Sequence, residues 1–168
     1  RIYRSYGRDS RDIISRWVRL LLDGKAIEVY HPENIFDYIY AGDGAEGLLR
    51  LGAAAWSGTV NLGSGHARKV ADVVSILKKH FPALKQKNSS SRDLFEASQA
   101  DTALLQAVTG WRPQTSLEEA IRNIITFEKH HAAQISREEC PNVLVTSTAK
   151  KVPLVRAVRH AMDMLGSG

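Results

Sequence analysis

Phe36-Asp37-Tyr38-Ile39-Tyr40-Ala41-Gly42-Asp43 runs from a strand pattern straight into a helix. Tyr38-Ile39-Tyr40 has the aromatic and β-branched content of a short strand, and a short helix follows over 43–51 with Asp43 placed to cap it. Upstream, Ile27-Glu28-Val29-Tyr30 reads as another short strand, joined through a turn at His31-Pro32. Before it, Ile13, Ile14, Trp17, Val18, Leu21 and Leu22 recur at the helical period, with Asp9 or Ser10 as N-cap and Gly24 as the stop. Arg1-Ile2-Tyr3 opens the chain as a strand. Downstream, Thr59-Val60-Asn61-Leu62 is a strand whose tight loop Gly63-Ser64-Gly65 feeds a helix over 69–81 that buries Val70, Val73, Val74 and Leu77. Residues 85–91 are polar and turn-rich and read as a mobile surface loop. Asp101 can cap a helix through Val108 that Gly110 ends, and Ser116 with Glu119 forms a capping box for a longer helix through Phe127. Alternating strands and helices of this kind define an α/β fold.

Composition narrows the function. With 168 residues, 43% of them hydrophobic, the chain can bury one core and has room for a piece of a second domain. No apolar run approaches the roughly 18 residues that span a bilayer, and no charged-then-apolar leader opens the chain, so no membrane partner is expected. Cys140 is the single cysteine, an exposed linker thiol without a base beside it, which points to a reducing, cytoplasmic setting. The formal charge is +5, and Arg1, Arg4, Arg8, Arg11, Arg16 and Arg19 crowd the first twenty residues. Anionic small molecules are favoured there. Nucleic acid is not, because Tyr3, Tyr6 and Trp17 fall at positions a strand or apolar helix face would bury. Six histidines are scattered without ligand spacing, so no metal site is expected.

The chain changes character near its end. Residues 130–139 are polar apart from Ile135, and 132–141 read as a linker between a unit at 1–131 and another at 142–168. Asn142-Val143-Leu144-Val145-Thr146-Ser147 is a strand pattern, followed by a polar loop with Lys150 and Lys151 and an amphipathic stretch over 152–165. Strand, loop and helix make the opening half of a βαβ unit. With Arg1 in place of Met at the start, the chain reads as a slice of a larger two-part enzyme.

Five pieces fall in the order and spacing of one family. They are Arg1-Ile2-Tyr3-Arg4-Ser5-Tyr6-Gly7, residues 36–43 quoted above, Asn61-Leu62-Gly63-Ser64-Gly65, Ala100-Asp101, and Gly110-Trp111-Arg112-Pro113 with Ser116-Leu117-Glu118-Glu119. Over about residues 1–130 the chain resembles the C-terminal half of an extended short-chain dehydrogenase/reductase, the NAD-dependent nucleotide-sugar epimerase/dehydratase group. The resemblance implies the C-terminal part of an NAD(P)-binding Rossmann-like fold with a mixed α/β substrate lid. It places Tyr6 and Gly7 beside the nicotinamide end of NAD, and a nucleotide sugar or other anionic substrate against Arg4, Arg8, Asp37 and Arg92. It also allows a homodimer of the parent. Three departures matter, one of them Arg8 where the family has Pro. Arg4 stands where the family has Asn, and Phe36 stands where it commonly has the arginine that clamps the substrate diphosphate, which shifts that duty toward Arg92. Asp37 equally well pairs with a neighbouring arginine, Asn61 and Ser64 satisfy loop backbone, and Trp111 and Pro113 pack.

The family's chemistry is not in these residues. Catalysis there needs a glycine-rich turn that seats a pyrophosphate on a helix N-terminus, and a tyrosine four residues before a lysine that lowers the phenol pKa. Tyr3, Tyr6, Tyr30, Tyr38 and Tyr40 have no lysine four positions on, and the glycine run at 42–47 carries Asp43 and Glu46. No catalytic residue is therefore assigned. The second unit resembles the start of the preATP-grasp domain of carbamoyl-phosphate-synthase-like ligases, with Lys150-Lys151 for the usual basic pair, which would bring ATP and magnesium to later domains. The parent so read joins an epimerase, dehydratase or reductase half to a ligase half; the competing class is a non-catalytic module kept as a docking surface for the ligase.

Overall fold

The computed structural model describes residues 1–89 and 95–138, with side chains described up to residue 131. Its first compact unit is Arg1–Ser136. Among the described residues ten elements follow one another: β1 (Arg4–Tyr6), α1 (Ile13–Leu22), β2 (Ile27–Tyr30), β3 (Ile35–Tyr40), α2 (Ala41–Ala53), β4 (Ala67–Lys69), α3 (Val70–His80), β5 (Gln86–Ser89), α4 (Ala103–Thr109) and α5 (Leu117–Glu138).

β3 is the organising strand. Its last three residues pair in parallel with β1, Ser5 opposite Ile39, and its first three pair antiparallel with β4, Phe36 opposite Arg68. Its faces are covered from both sides. Phe36 and Tyr38 belong to a large core with α1, α3 and α5, whereas Ile39 packs with Val60, Leu62 and Leu105, backed by Leu51 and Trp111. A strand buried on both faces is what a near-continuous apolar run such as Phe-Asp-Tyr-Ile-Tyr encodes, with the aspartate as its one exception. The result is a mixed α/β, Rossmann-like architecture.

Several local expectations change. The opening strand is shifted to Arg4–Tyr6, and Leu62 makes only a parallel bridge to Ile2, so residues 59–62 are a pairing segment and not a full strand. α1 is capped by Asp12, whose Oδ1 accepts from the Ile14 and Ser15 amides at 2.7 and 3.0 Å. Asp9 is excluded from that duty by its φ of 51°, because an N-cap needs extended backbone. Gln86–Ser89, inside the stretch read as a mobile loop, is β5 and pairs in parallel with β2. β4 has no counterpart in the sequence reading. α5 runs on to Glu138, so most of the stretch read as a linker is helical in its backbone. Cys140 and the unit at 142–168 lie outside the described residues.

Candidate functional site

β1 begins at Arg4, which is exposed beside β3. Its guanidinium carbon lies 3.5 Å over the Phe36 ring, a stacking distance, and Phe36 itself is buried. Cavities open on both sides of this pair. One, about 800 Å³, is lined by Arg1, Ile2, Phe95 and Glu96; the other, about 350 Å³, by Trp17, Glu28, Tyr30, Asn34 and Tyr38. Arg4, Phe36 and Glu96 line both, so the two are halves of one cleft.

Glu96 reaches this place through backbone pairing. The Ile35 amide donates to the Glu96 carbonyl at 2.9 Å, the Ser98 amide to the Ile35 carbonyl at 2.9 Å, and the Glu96 amide to Oδ1 of the buried Asn34 at 3.1 Å. On the opposite rim Glu28 accepts from Ser89 Oγ at 2.8 Å. That bond, then one from the Tyr30 hydroxyl, holds the Glu28 carboxyl below its usual value, and the same contact with Glu28 raises Tyr30. Neither Glu96 nor Asn34 was legible as a site residue, because the segments that place them are some sixty positions apart in sequence.

Asp37 is a clasp. It is fully buried, and Oδ1 accepts from the Ser64 amide at 2.7 Å and Ser64 Oγ at 2.6 Å, while Oδ2 accepts from the Gly65 and Ala100 amides at 2.9 and 3.0 Å. The expected pairing with an arginine does not occur among the described residues, and the substrate contact expected of Asp37 has no carboxylate oxygen left to make it. Close approach explains the glycine beside it. A Cβ on Gly63 would lie 2.5 Å from the Ala100 Cβ and 3.0 Å from Asp37 Oδ2. Asp43 does not cap its helix either. Its carboxylate accepts from the Thr115 amide at 2.8 Å and the Thr115 hydroxyl at 3.1 Å, tying α2 to the turn before α5.

Tyr6 is in the core, 2% exposed, with edge contacts to Tyr38 and Tyr40. Its side chain meets protein where a cofactor contact was expected. Gly7 is demanded by packing, since a Cβ there would come within 2.7 Å of the Ala41 Cβ, and its carbonyl accepts from Ser15 Oγ at 2.6 Å. Burial, with the nearby Asp43 charge second, pushes the Tyr6 phenol far above its ordinary value; burial pushes Tyr38 up to about 12, against the pull of Arg4. Neither phenol can serve as a base near neutrality. Arg8 lies apart from Arg4, with its guanidinium 5.7 Å over the Phe127 ring of α5. Arg92 lies outside the described residues. Among the described residues there is no cluster of three or more His, Cys, Asp or Glu placed to hold a metal ion, and no helix long and apolar enough to cross a membrane.

Against known proteins, no family profile matches the chain. A protein of Escherichia coli O111:H-, described as an uncharacterized 37.6 kDa protein in the cld 5' region, is 25% identical over 149 residues, covering 75% of this chain and 44% of that one. Many solved structures share the fold. An NAD-dependent NDP-hexosamine 5,6-dehydratase involved in tunicamycin biosynthesis, TunA, superposes with a TM-score of 0.70 at 28% identity, over 77% of this chain and 44% of that chain. MoeE5, solved with UDP-glucuronic acid and NAD, gives 0.69 at 26% identity over 78% and 46%. UDP-glucose 4-epimerase of Thermotoga maritima with UDP-glucose gives 0.71 at 19% identity over 79% and 45%. The fold is thus the mixed α/β, Rossmann-like one of these enzymes. The structural neighbours are NAD-dependent epimerases and dehydratases of the extended short-chain dehydrogenase/reductase kind, and this chain spans under half of their length.

Proposed function

We propose that the chain is the substrate-binding half of an NAD-dependent nucleotide-sugar epimerase or dehydratase, and that it holds the nucleotide sugar while the catalytic groups and most of the NAD site belong to a preceding half. The supporting observation is the cleft around Arg4, wholly built from this chain, in a fold shared with nucleotide-sugar enzymes at 28% and 26% identity. On its own residues the chain does not fit NAD. The turn after β1 is closed on itself by Asp12 and Ser15, and the first turn of α2 carries Asp43, whose charge opposes a pyrophosphate at that helix end. No hydride step is derived from these residues, and NAD enters only as the cofactor supplied when both halves are joined.

What the residues present do is bind and orient. Arg4 offers a planar fork of donors, Tyr30 and Phe95 offer aromatic faces, and Glu28 and Glu96 offer acceptors for hydroxyls. By its sequence pattern the segment 142–168 starts an ATP-grasp ligase unit in this proposal, with ATP and magnesium in later domains, and the parent is a cytoplasmic homodimer. The test is a full-length parent assayed with NAD and a panel of UDP-sugars, the products read by proton NMR. Epimerised or dehydrated sugar supports the proposal; a parent that binds UDP-sugars but never alters them overturns the catalytic half of it and favours a docking module.

A further inference from the structure

Another concave surface lies where α1 and α3 end. We propose that this surface, a recess of about 410 Å³ edged by lysines, is a docking site for an acidic peptide segment of a partner protein, one that carries an apolar side chain among its carboxylates. The inference stands apart from the nucleotide-sugar reading, because the recess shares no lining residue with the cleft around Arg4.

Three observations carry it. The first is the placement of charge. Residues 78–87, Lys-Lys-His-Phe-Pro-Ala-Leu-Lys-Gln-Lys, contain no acidic residue. Lys78, Lys79 and His80 form the last turn of α3, and Lys85 leads into β5, where Lys87 lies two positions on and so on the same face. The Ile27 amide donates to the Lys85 carbonyl at 3.0 Å, which sets this segment against the turn after α1 where Lys25 stands. Complementing the helix dipole accounts for Lys78 and Lys79, but Lys85 and Lys87 belong to a strand edge. Each helix end contributes about half an elementary negative charge, less than the lysines supply.

Second, these cations are available. Among the described residues Lys78, Lys79 and Lys85 make no hydrogen bond or ion pair. Lys25 pairs with Asp23 at 2.9 Å, but both side chains are more than half exposed, and a surface pair of that kind is readily exchanged for a ligand carboxylate. Glu28, which feels the Lys87 charge, already accepts from Ser89 Oγ at 2.8 Å. Third, the space between the cations is apolar. Leu21 is buried, and Phe81 and Leu84 are half-buried against the core, so the large apolar side chains of the recess sit below the exposed lysines. A bilayer calls for apolar side chains that project, and single-stranded nucleic acid for exposed aromatic faces on which bases stack. A peptide supplies what this surface lacks, carboxylates for the rim and an apolar side chain for the floor.

The experiment is fluorescence anisotropy of the 168-residue chain with a fluorescein-labelled Glu-Glu-Leu-Glu-Glu-Leu-Glu peptide, beside the same peptide with Ser for Leu. The protein variants are K78E/K85E and, as a control on α5, K129E. All three positions are exposed, and thermal scans check that the fold is kept. Expected are a Kd raised at least ~10-fold in K78E/K85E and unchanged within about twofold in K129E, a loss of at least ~5-fold for the Ser peptide, and weakening of every complex by added salt. Equal affinity of wild type and K78E/K85E, an equal loss in K129E, a Ser peptide bound as tightly as the Leu peptide, or no binding at millimolar peptide would each overturn the inference. Tighter binding of an oligothymidylate or of phosphatidylserine vesicles than of the peptide would overturn it too, assigning the lysines to nucleic acid or to a membrane surface.

Discussion

Replacing Asp37 by Asn tests how the centre of this unit is held. The carboxylate is fully buried and accepts four hydrogen bonds, three from backbone amides and one from the Ser64 hydroxyl. Asn has the same shape but only one acceptor oxygen. Turned so that its NH2 replaces Oδ2, it sets donors against the Gly65 and Ala100 amides together. Turned the other way, the Ser64 hydroxyl can rotate to accept, and a single amide, that of Ser64, is left opposed. The second orientation wins, and it costs one buried unsatisfied donor, about 1–3 kcal/mol, plus the charge assistance lost from the remaining bonds, for a total of about 2–4 kcal/mol. Urea unfolding followed by tryptophan fluorescence reads the change as a lower midpoint at constant slope. Hydrogen exchange should show the amides of Ser64, Gly65 and Ala100 losing protection ahead of those in α3. A D37N protein within about 0.5 kcal/mol of wild type would refute the clasp, since that is the range of an ordinary surface substitution.

Further outcomes follow from the same contacts. A methyl group at Gly47 would sit 2.6 Å from Leu62 Cδ1 and 2.9 Å from Trp111 Cζ3, so G47A should cost about 1–3 kcal/mol by overpacking, read as a drop in Tm, even though alanine is the better helix former. The Tyr38 phenol, pushed up from 10.0 to about 12 by burial, keeps its proton better in the folded state. Its contribution is complete below pH 10 and is lost as pH rises toward 12, so alkaline titration should lower the unfolding midpoint across that window, and Y38F should show a smaller decline. The chain alone should bind NAD no more tightly than millimolar; micromolar binding in a calorimetric titration would show that a cofactor site exists within these residues.

The central strand was legible and its edges were not, for a reason visible in the residues. Phe36 to Tyr40 carry their own signal, apolar and aromatic without a break except at Asp37, and the helix after them begins where the run stops. Gln86–Ser89 carries none. Gln-Lys-Asn-Ser is turn composition, and it is a strand only because β2 offers it a parallel edge. Polar side chains were harder still. Asp37 and Asp43 have partners 27 to 72 positions away, so a local rule proposes a local cap or ion pair where the fold uses a distant backbone amide. Arg4 could be singled out from sequence as a charge in place of an amide, and Phe36 as an apolar residue in place of a charge. That the two substitutions stack on each other could not be seen, nor that Arg8 belongs to a different surface against Phe127.

The distribution of ionisable groups among the described residues supports the binding role proposed above. The buried carboxylates are spent on the fold: Asp37 on the loop of Gly63 and Gly65, Asp43 on Thr115, and Glu128 on Arg19 at 2.8 Å, an arginine that also donates at 2.6 Å to the Ser10 carbonyl and so fixes the turn after β1. The buried phenols of Tyr6 and Tyr38 are held neutral by the same burial that packs them. A general base needs a group that is both reachable and poised near the working pH, and burial has removed these groups from that role. What remains at the cleft is exposed: Arg4 on its aromatic shelf, Glu28 with Tyr30, and Glu96. Those groups can grip a phosphate and orient hydroxyls. Oxidation or elimination would still require a proton acceptor aimed at the bound ligand, and under the proposed function that acceptor comes from outside the described residues.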